Sequence, residues 1–279
     1  MSPLPHLDRL SALLAGLAPR VALDPAPKPR ERWVMAASGT PFLHLHVLAA
    51  GEIELQAAST ACTRWRAPAI LVCRSDQSHQ LLAPAAGDFP QVLCARVYFD
   101  GPLAALLWDE FAEPQGVALD APAGTLAPLI DLLAQELAMP RCGQPTLLAR
   151  AGDILFIGLL RHLIAHPGGR LGLLGGLAEP RLARALVAMH GQPQWPWTLE
   201  SLAAEAGMSR TAFANTFRQL MRQTPGKYLA QLRLVTARRI VQQGLGLKQA
   251  AQAAGYRNAS ALSRALSRSA PTSGEAALG

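Results

Sequence analysis

The 279-residue sequence contains no uninterrupted apolar run long enough to cross a bilayer. Its most hydrophobic stretch, Leu147 to Ile164, is interrupted by Arg150, Asp153 and Arg161, whereas a spanning helix needs about 20 consecutive apolar residues. A short apolar segment from Leu10 to Ala18 follows no strongly basic leader, so no cleaved signal peptide is expected. The sequence therefore predicts a cytoplasmic protein without membrane association.

Closely spaced cysteines and common catalytic motifs are also missing. The four cysteines form no CxxC pair and no disulfide framework, and reduced thiols are expected at Cys62, Cys73, Cys94 and Cys142. The sequence has no G-x-S-x-G, no P-loop and no dinucleotide-binding fingerprint. The sequence therefore carries none of these enzyme signatures, and we expect that the protein is not an enzyme.

Acidic residues are scarce in the last hundred residues. From Pro180 to Gly279 there are 13 Lys or Arg residues against 3 Asp or Glu, a balance of +10, whereas the residues before them carry −3. A solvated basic face would be compatible with this charge. A block this asymmetric is also typical of a domain that binds nucleic acid.

Helical periodicity in the basic region predicts a helix-turn-helix over Thr198 to Phe217. Apolar residues recur at helical spacing before Gly207, which can adopt a positive φ, and Ser209 can cap the next helix. Phe213 and Phe217 are expected to bury one face of that second helix. The opposite face then carries the outward side chains Arg210, Thr211, Ala214, Asn215 and Arg218. An ordinary helical hairpin inside a core is the alternative.

The same pattern recurs further along the chain. The turn at Gly207 is matched by Gly255, 48 residues later, and Leu262 and Leu266 take the places of the two phenylalanines. A long helix predicted over Lys227 to Gln243 joins the two units. Two recognition helices on a rigid connector can enter successive major grooves about 34 Å apart, so the duplication favours a DNA reader over an isolated hairpin.

Residues 32 to 100 show strand periodicity instead. Alternating or short apolar segments bounded by Gly, Pro and Asp clusters are typical of a small antiparallel barrel or sandwich. The predicted strands are Phe42 to Leu48, Ile53 to Leu55, Ala69 to Cys73 and Val92 to Phe99.

Two helices are predicted after the strands, over about 126–137 and 146–165. The second is apolar around more of its circumference than one core requires, which full burial and a homodimer contact explain equally well. The predicted domains are 1–170, a sensor domain whose helical dimerisation segment covers about 121–166, a linker at 171–178, and a DNA-binding domain at 179–279.

Four side chains of the strand region could form a binding site. His44 and His46 share a strand face, His79 begins the following segment, and Cys94 lies on a later strand. Imidazole and thiolate groups can hold a divalent metal such as zinc or iron. Polar lining of a barrel that binds an organic effector, or a redox-sensing Cys94 thiol, would account for the same residues.

The duplicated motif resembles the AraC/XylS family of transcription regulators. The likeness is carried by TLESLAAEAGMSRTAFANTFRQLMRQTPGKYLAQLRLVTARRI followed by AAQAAGYRNASALSRAL. Upstream, PFLHLHVL, SDQSHQLL and VLCARVYFDGPL resemble the cupin-type sensor domain of one branch of that family.

The resemblance implies an α+β fold, in which a cupin-like β-barrel with a helical extension precedes an all-α domain of two helix-turn-helix units joined by a long helix. It also implies a sequence-specific regulator controlled by a small molecule, metal or oxidant sensed in the barrel. The implied partners are double-stranded DNA, an unknown small-molecule effector, RNA polymerase and a second copy of the chain. The alternative is a cupin-type metalloenzyme with a helical appendage, whose ligands would be His44, His46 and His79.

The family's binding mode assigns two sets of side chains to DNA. Those implied to face bases are Arg210, Thr211, Ala214 and Asn215 in the first unit and Asn258, Ser260, Ser263 and Arg264 in the second. Arginine can pair with guanine, asparagine with adenine, and a threonine methyl can contact thymine. Basic side chains expected at phosphates are Arg218, Arg222, Lys227, Arg238, Arg257 and Arg268.

The second unit departs from the family pattern. The family usually has aromatic residues where this chain has Leu262 and Leu266, and its closing segment is reduced here to SAPTSGEAALG. Smaller core residues give less packing free energy. We therefore expect the first unit to dominate specificity.

Overall fold

The computed structural model describes residues 8–24, 32–57, 60–84, 89–119, 126–139 and 141–268. It divides into two units. A barrel unit comprises Ala18–Asp100 and Leu106–Gly168, and a helical unit takes in Met1–Leu17, Gly101–Ala105 and Gly169–Gly279 as far as these are described.

Two antiparallel sheets form the barrel unit. The first has the order β1-β8-β3-β6-β9 and the second β2-β7-β4-β5. The strands are β1 (Pro19–Leu23), β2 (Arg32–Met35), β3 (Leu43–Ala50), β4 (Glu52–Ala57), β5 (Thr60–Arg66), β6 (Ala69–Arg74), β7 (His79–Leu82), β8 (Gln91–Phe99) and β9 (Gln115–Ala118). The predicted strands are confirmed as β3, β4, β6 and β8.

The side chains between the two sheets are mainly apolar. Trp33, Ile53 and Leu81 from the second sheet pack with Leu71 and Val92 from the first. Alternation along β3 directs its other residues, among them Leu45 and Val47, to the opposite face, where they are fully buried. That face lies under two helices, because α3 contacts β3 and α4 contacts β1.

Helices α3 (Leu126–Ala138) and α4 (Gln144–Ala165) confirm the predicted helical segment. The buried residues of α4 include Leu155, Phe156 and Leu159, and Ile157 and Ile164 are half-buried. Burial within the barrel unit therefore accounts for the apolar circumference of α4. Ile154 is an exception, since 53% of it is exposed.

The helical unit contains both predicted helix-turn-helix motifs. Its helices are α1 (Arg9–Leu17), α5 (Leu173–Ala178), α6 (Pro180–Gly191), α7 (Leu199–Glu205), α8 (Arg210–Met221), α9 (Pro225–Gln242), α10 (Leu247–Ala253) and α11 (Ala259–Arg268), and the short α2 (Ala104–Trp108) lies between β8 and β9. No described helix combines the length and hydrophobicity needed to cross a membrane.

Two segments of the helical unit differ from the sequence prediction. Residues 171–178, predicted as a linker, include α5, whose Leu173, Leu174 and Leu177 are buried against α6 and α8. Helix α1, predicted within the sensor domain, packs on α6, and Arg9 Nη1 donates to the carbonyl of Leu177 at 3.1 Å. The glycines of residues 167–176 suggested a linker, but the leucines among them supply an apolar face. The closing segment 269–279 lies outside the described residues.

The cores of the two helix-turn-helix units differ in size. Helix α8 buries Phe213, Phe217 and Met221, whereas α11 buries only Leu262. The other buried residues around Leu262 are alanines, and Leu266 is only partly buried. This difference agrees with the smaller core predicted for the second unit.

We expect Phe217→Ala to cost about 3–5 kcal/mol of local stability in the first unit, because it leaves a large cavity. Leu266→Ala should cost about 1–2 kcal/mol in the second unit, because less apolar surface is buried there. Hydrogen exchange of the α8 and α11 amides measures both effects, and Gln219→Ala on the exposed face of α8 is the control. Equal losses from the two truncations would contradict the difference in core size.

Candidate functional site

Local hydrogen bonds define both helices of the first motif. Thr198 and Ser201 form a reciprocal capping box at the start of α7. Gly207 adopts φ +62°, a conformation that strains residues with a Cβ, and the chain turns there. The Ser209 hydroxyl then accepts a hydrogen bond from the Ala212 N–H at 3.3 Å and caps α8. The predicted turn and cap are confirmed.

Aromatic packing fixes the orientation of α8. The rings of Phe213 and Phe217 meet edge to face with centroids 5.6 Å apart, and Phe217 meets Tyr228 of α9 in the same way at 5.7 Å. The Tyr228 hydroxyl is hydrogen-bonded to His190 Nε2 of α6 at 2.6 Å. Burial lowers the pKa of His190 to about 4, so the imidazole is neutral in this contact. The opposite face of α8 is therefore directed to solvent.

The base-facing candidates of the first unit lie on that solvent face. Thr211 and Asn215 are exposed, and Ala214 is half-buried. Arg210 is exposed but forms an ion pair with Glu200 of α7 at 2.7 Å. Sequence reasoning missed Glu200, because no spacing rule connects residues on two different helices of the motif.

The candidates of the second unit are arranged around α11. Gly255 adopts φ +75° at its turn. The side-chain oxygen of Asn258 accepts a hydrogen bond from the Ala261 N–H at 2.8 Å and so caps α11. Ser260, Ser263 and Arg264 are exposed.

Most of the basic side chains predicted to contact phosphates are exposed to solvent. Arg218, Arg222, Lys227, Arg257 and Arg268 are exposed, and Arg238 is half-buried. Arg218 lines a groove of about 290 Å³ together with Thr224, Pro225 and Gly226 at the N-terminus of α9. Pro225 has no N–H and the Lys227 N–H donates to the Thr224 hydroxyl at 3.3 Å, so the Arg218 side chain is the group of this groove suited to a phosphate.

In the barrel unit, the structure brings the three predicted histidines together. Each of His44, His46 and His79 offers a ring nitrogen, and these three atoms lie within 4.8 Å of one another. The shortest contact joins the Nε2 atoms of His46 and His79 at 2.8 Å. Among the described residues, these three histidines form the cluster of side chains that could hold a metal ion, and no carboxylate belongs to it.

Pairing of the strands explains the cluster. His44 and His46 are two residues apart on β3, so they lie on one face, and their rings stack with centroids 5.5 Å apart. His79 begins β7 of the other sheet and meets them across the interior. Its Nδ1 lies 3.3 Å from the Gln77 carbonyl, which orients the Nε2 atom toward His46.

Burial keeps the imidazoles uncharged. Desolvation lowers the pKa of His44 to about 4 and holds the pKa of His46 well below its ordinary value. Neighbouring imidazoles lower both further, and burial also lowers the pKa of His79. Neutral imidazole is the form that binds metals.

Cys94 contacts the cluster through His46. Residues His46 and Cys94 are direct partners in the β3–β8 pairing, and the thiol lies 3.3 Å from His46 Nδ1. Burial, with a smaller effect of the Asp24 charge, raises the pKa of the Cys94 thiol to about 12. The thiol is therefore protonated beside a neutral imidazole, which does not fit the hypothesis of a reactive thiolate beside an imidazolium. Its contact instead orients the His46 ring.

The donor set fits a metal ion of intermediate softness. Nitrogens about 2.0–2.1 Å from one zinc ion are about 3.4 Å apart, so small ring movements would bring all three within reach of one ion. A neutral hydrogen-bonded histidine cluster is the alternative arrangement.

Two family models match the chain. The cupin model matches residues 8–165, which is more than half of the chain, and a helix-turn-helix domain model matches residues 202–272. The fold and the two motifs define a class of regulators that combine a cupin-type domain with a helix-turn-helix domain. The chain belongs to the AraC/XylS family of transcriptional regulators, in the branch with an N-terminal cupin-type domain.

Named relatives are similar to different portions of the chain. The regulator AlkR of Acinetobacter baylyi is 39% identical over 117 residues, which are 42% of this chain and 38% of AlkR. The activator RclR of Escherichia coli is 26% identical over 272 residues and 94% of each chain. The solved DNA-binding domain of AdpA, in complex with a target DNA, is 27% identical to the matching part of this chain, with a TM-score of 0.30. The match covers 33% of this chain and 82% of the AdpA domain.

Proposed function

We propose that the chain is a sequence-specific DNA-binding transcription regulator controlled by a metal signal in its barrel. The observation that carries the DNA-binding part is the pair of helix-turn-helix motifs on a domain with a charge balance of +10. In each unit, the face of the second helix opposite its buried residues carries exposed polar and basic side chains. That is the face a recognition helix turns to the major groove.

Specificity and general affinity are divided between two kinds of contact in this proposal. Asn215, Thr211 and Arg264 read base edges, and Arg218 and Lys227 hold the phosphate backbone. The ion pair with Glu200 orients the Arg210 guanidinium on the face of α8 that meets DNA in this proposal. The first unit contributes more, since its recognition helix has the larger buried core.

The two roles give different mutational signatures. Asn215→Ala should lower affinity for the preferred duplex by about 1–3 kcal/mol while leaving binding to unrelated DNA unchanged. Arg218→Ala should weaken binding to both, and should reduce the slope of log affinity against log salt by about one. Mobility-shift titrations at two salt concentrations, with a site selected from a random DNA pool, measure both effects.

Gln231→Ala is the matched control, because Gln231 is exposed on α9 and has no proposed contact with DNA. Failure of the wild-type chain to bind any duplex at low salt would remove the proposal. A uniform loss on all DNA from Asn215→Ala would contradict its base-reading role.

The signal part of the proposal rests on the histidine cluster. His44, His46 and His79 would hold one divalent ion such as zinc or iron, and the Cys94 thiol would orient His46. The uncharged state of the imidazoles supports binding at neutral pH without loss of protons. A sensing role is favoured over the enzyme alternative because the named relatives of the chain are transcription regulators.

We expect purified protein to bind about one zinc ion per chain, and His46→Ala to abolish this binding, because His46 is the buried central ligand. Titration with zinc followed by elemental analysis measures the stoichiometry. Cys62→Ser is the control, since that thiol is exposed on β5. Unchanged zinc content in His46→Ala, or no binding by the wild-type chain, would contradict the metal site.

Two further partners belong to the proposal, a second copy of the chain and RNA polymerase. A homodimer could use the exposed Ile154 of α4, and contact with RNA polymerase would follow from a role in transcription. We propose a cytoplasmic location and no catalytic activity, as expected of a regulator that reads DNA.

A further inference from the structure

Arg233, on the connector helix α9, is bonded to the loop between α6 and α7. Its Nε donates to the Pro193 carbonyl at 2.8 Å and its Nη2 donates to the Trp195 carbonyl at 2.7 Å. One guanidinium thus holds two carbonyls of a single loop in a fork of fixed geometry. The contact joins the connector to residues that immediately precede the first helix-turn-helix.

The turn of the second helix-turn-helix lies on the same loop. A Cβ added at Gly255 would be 2.7 Å from Gln194 Cα and 3.0 Å from the Gln194 carbonyl. It would also be 3.1 Å from Arg233 Nε. Gly255 is therefore required for this close backbone approach as well as for its positive φ. The loop between α6 and α7, the connector helix α9 and the turn at Gly255 therefore lie against one another.

The loop is held by its own hydrogen bonds up to the residue that begins the first unit. The Trp197 N–H donates to the Trp195 carbonyl at 2.7 Å, and the Trp197 indole N–H donates to the Gln192 carbonyl at 2.8 Å. The next residue, Thr198, caps α7. A displacement of the loop would consequently displace the first helix-turn-helix with it.

The second unit packs on the connector α9 through a core of small side chains, which the partly buried Ile240, Val241, Tyr256 and Leu266 extend. Its buried core consists of Leu262 and four alanines, Ala237, Ala250, Ala251 and Ala254. Small side chains bury little apolar surface and leave rigid-body orientation weakly determined. Arg233 adds hydrogen bonds between the connector and the loop, and Gly255 adds a close backbone approach of the second unit to that same loop.

We propose that Arg233 is a positioning residue that fixes the second helix-turn-helix relative to the first, and thereby sets the separation of half-sites that the protein accepts. Arg233 does this by binding the loop on which the Gly255 turn lies, and it needs no contact with DNA. This inference rests on the proposed DNA-binding function.

The test compares half-site spacings. The site selected for the wild-type chain is prepared with its two half-sites moved apart or together by one base pair, which shifts the second half-site by about 3.4 Å and rotates it by about 35°. The wild-type chain should lose about tenfold in affinity for the altered spacings, as for loss of one good base contact. Arg233→Ala should lose no more than about threefold, because the second unit can then reorient.

Two further measurements separate positioning from folding. Affinity for a duplex with the first half-site alone should be the same in the wild-type chain, Arg233→Ala and Gln231→Ala. Arg233→Lys, which retains a donor for one carbonyl, should show intermediate spacing discrimination. Unchanged affinity for the single half-site shows that the first unit remains folded, so a change in spacing discrimination then reports on the position of the second unit.

The outcomes are distinct. If Arg233→Ala discriminates between spacings as strongly as the wild-type chain does, the inference is overturned. Loss of binding to the single half-site by both Arg233→Ala and Arg233→Lys would also overturn it, because Arg233 would then support the first unit itself. Absence of DNA binding by the wild-type chain would instead count against the proposed function.

Discussion

Edge-to-face packing of Phe213, Phe217 and Tyr228 is the interaction on which the DNA-reading half of the molecule depends. It joins the recognition helix α8 to the connector α9, and the hydroxyl of Tyr228 extends the contact to His190 of α6. Because these rings occupy one face of α8, Thr211 and Asn215 are held on the other. No such ring pair occurs among the described residues of the second unit, where the partly buried Tyr256 packs beside Leu262 and four alanines. The position of the second unit is determined more by the backbone contact between Gly255 and the loop that Arg233 holds. The two units are therefore similar in topology and unequal in how they are stabilised.

The barrel unit shows a comparable division between apolar packing and a small polar centre. Apolar side chains fill the space between the two sheets, and His44, His46 and His79 form a cluster whose burial disfavours the charged state. Burying an imidazole costs desolvation free energy unless its ring nitrogens have hydrogen-bond partners. His46 contacts Cys94 through one ring nitrogen and His79 through the other. A metal ion would replace the contact between His46 and His79 and would leave that with Cys94 in place.

Local sequence patterns predicted the features that depend on local chemistry. Gly207, Ser209 and the spacing of Phe213 and Phe217 determine a turn, a cap and a buried stripe, and all were predicted correctly. Strands β1, β2, β5, β7 and β9 were not among the predicted strands, because short segments with mixed polarity acquire strand structure from partners distant in sequence. Arg233 and Glu200 were missed for the same reason. Their partners lie on other elements, and no sequence spacing specifies a contact between them.

We propose that one chain reads DNA with two unequal helix-turn-helix units in successive major grooves. Hydroxyl-radical footprinting of the full chain on its selected site tests this most directly. We expect two protected segments on one face of the duplex, centred about 10–10.5 base pairs apart, with stronger protection at the half-site bound by the first unit. A single protected segment, or two segments protected equally, would contradict it.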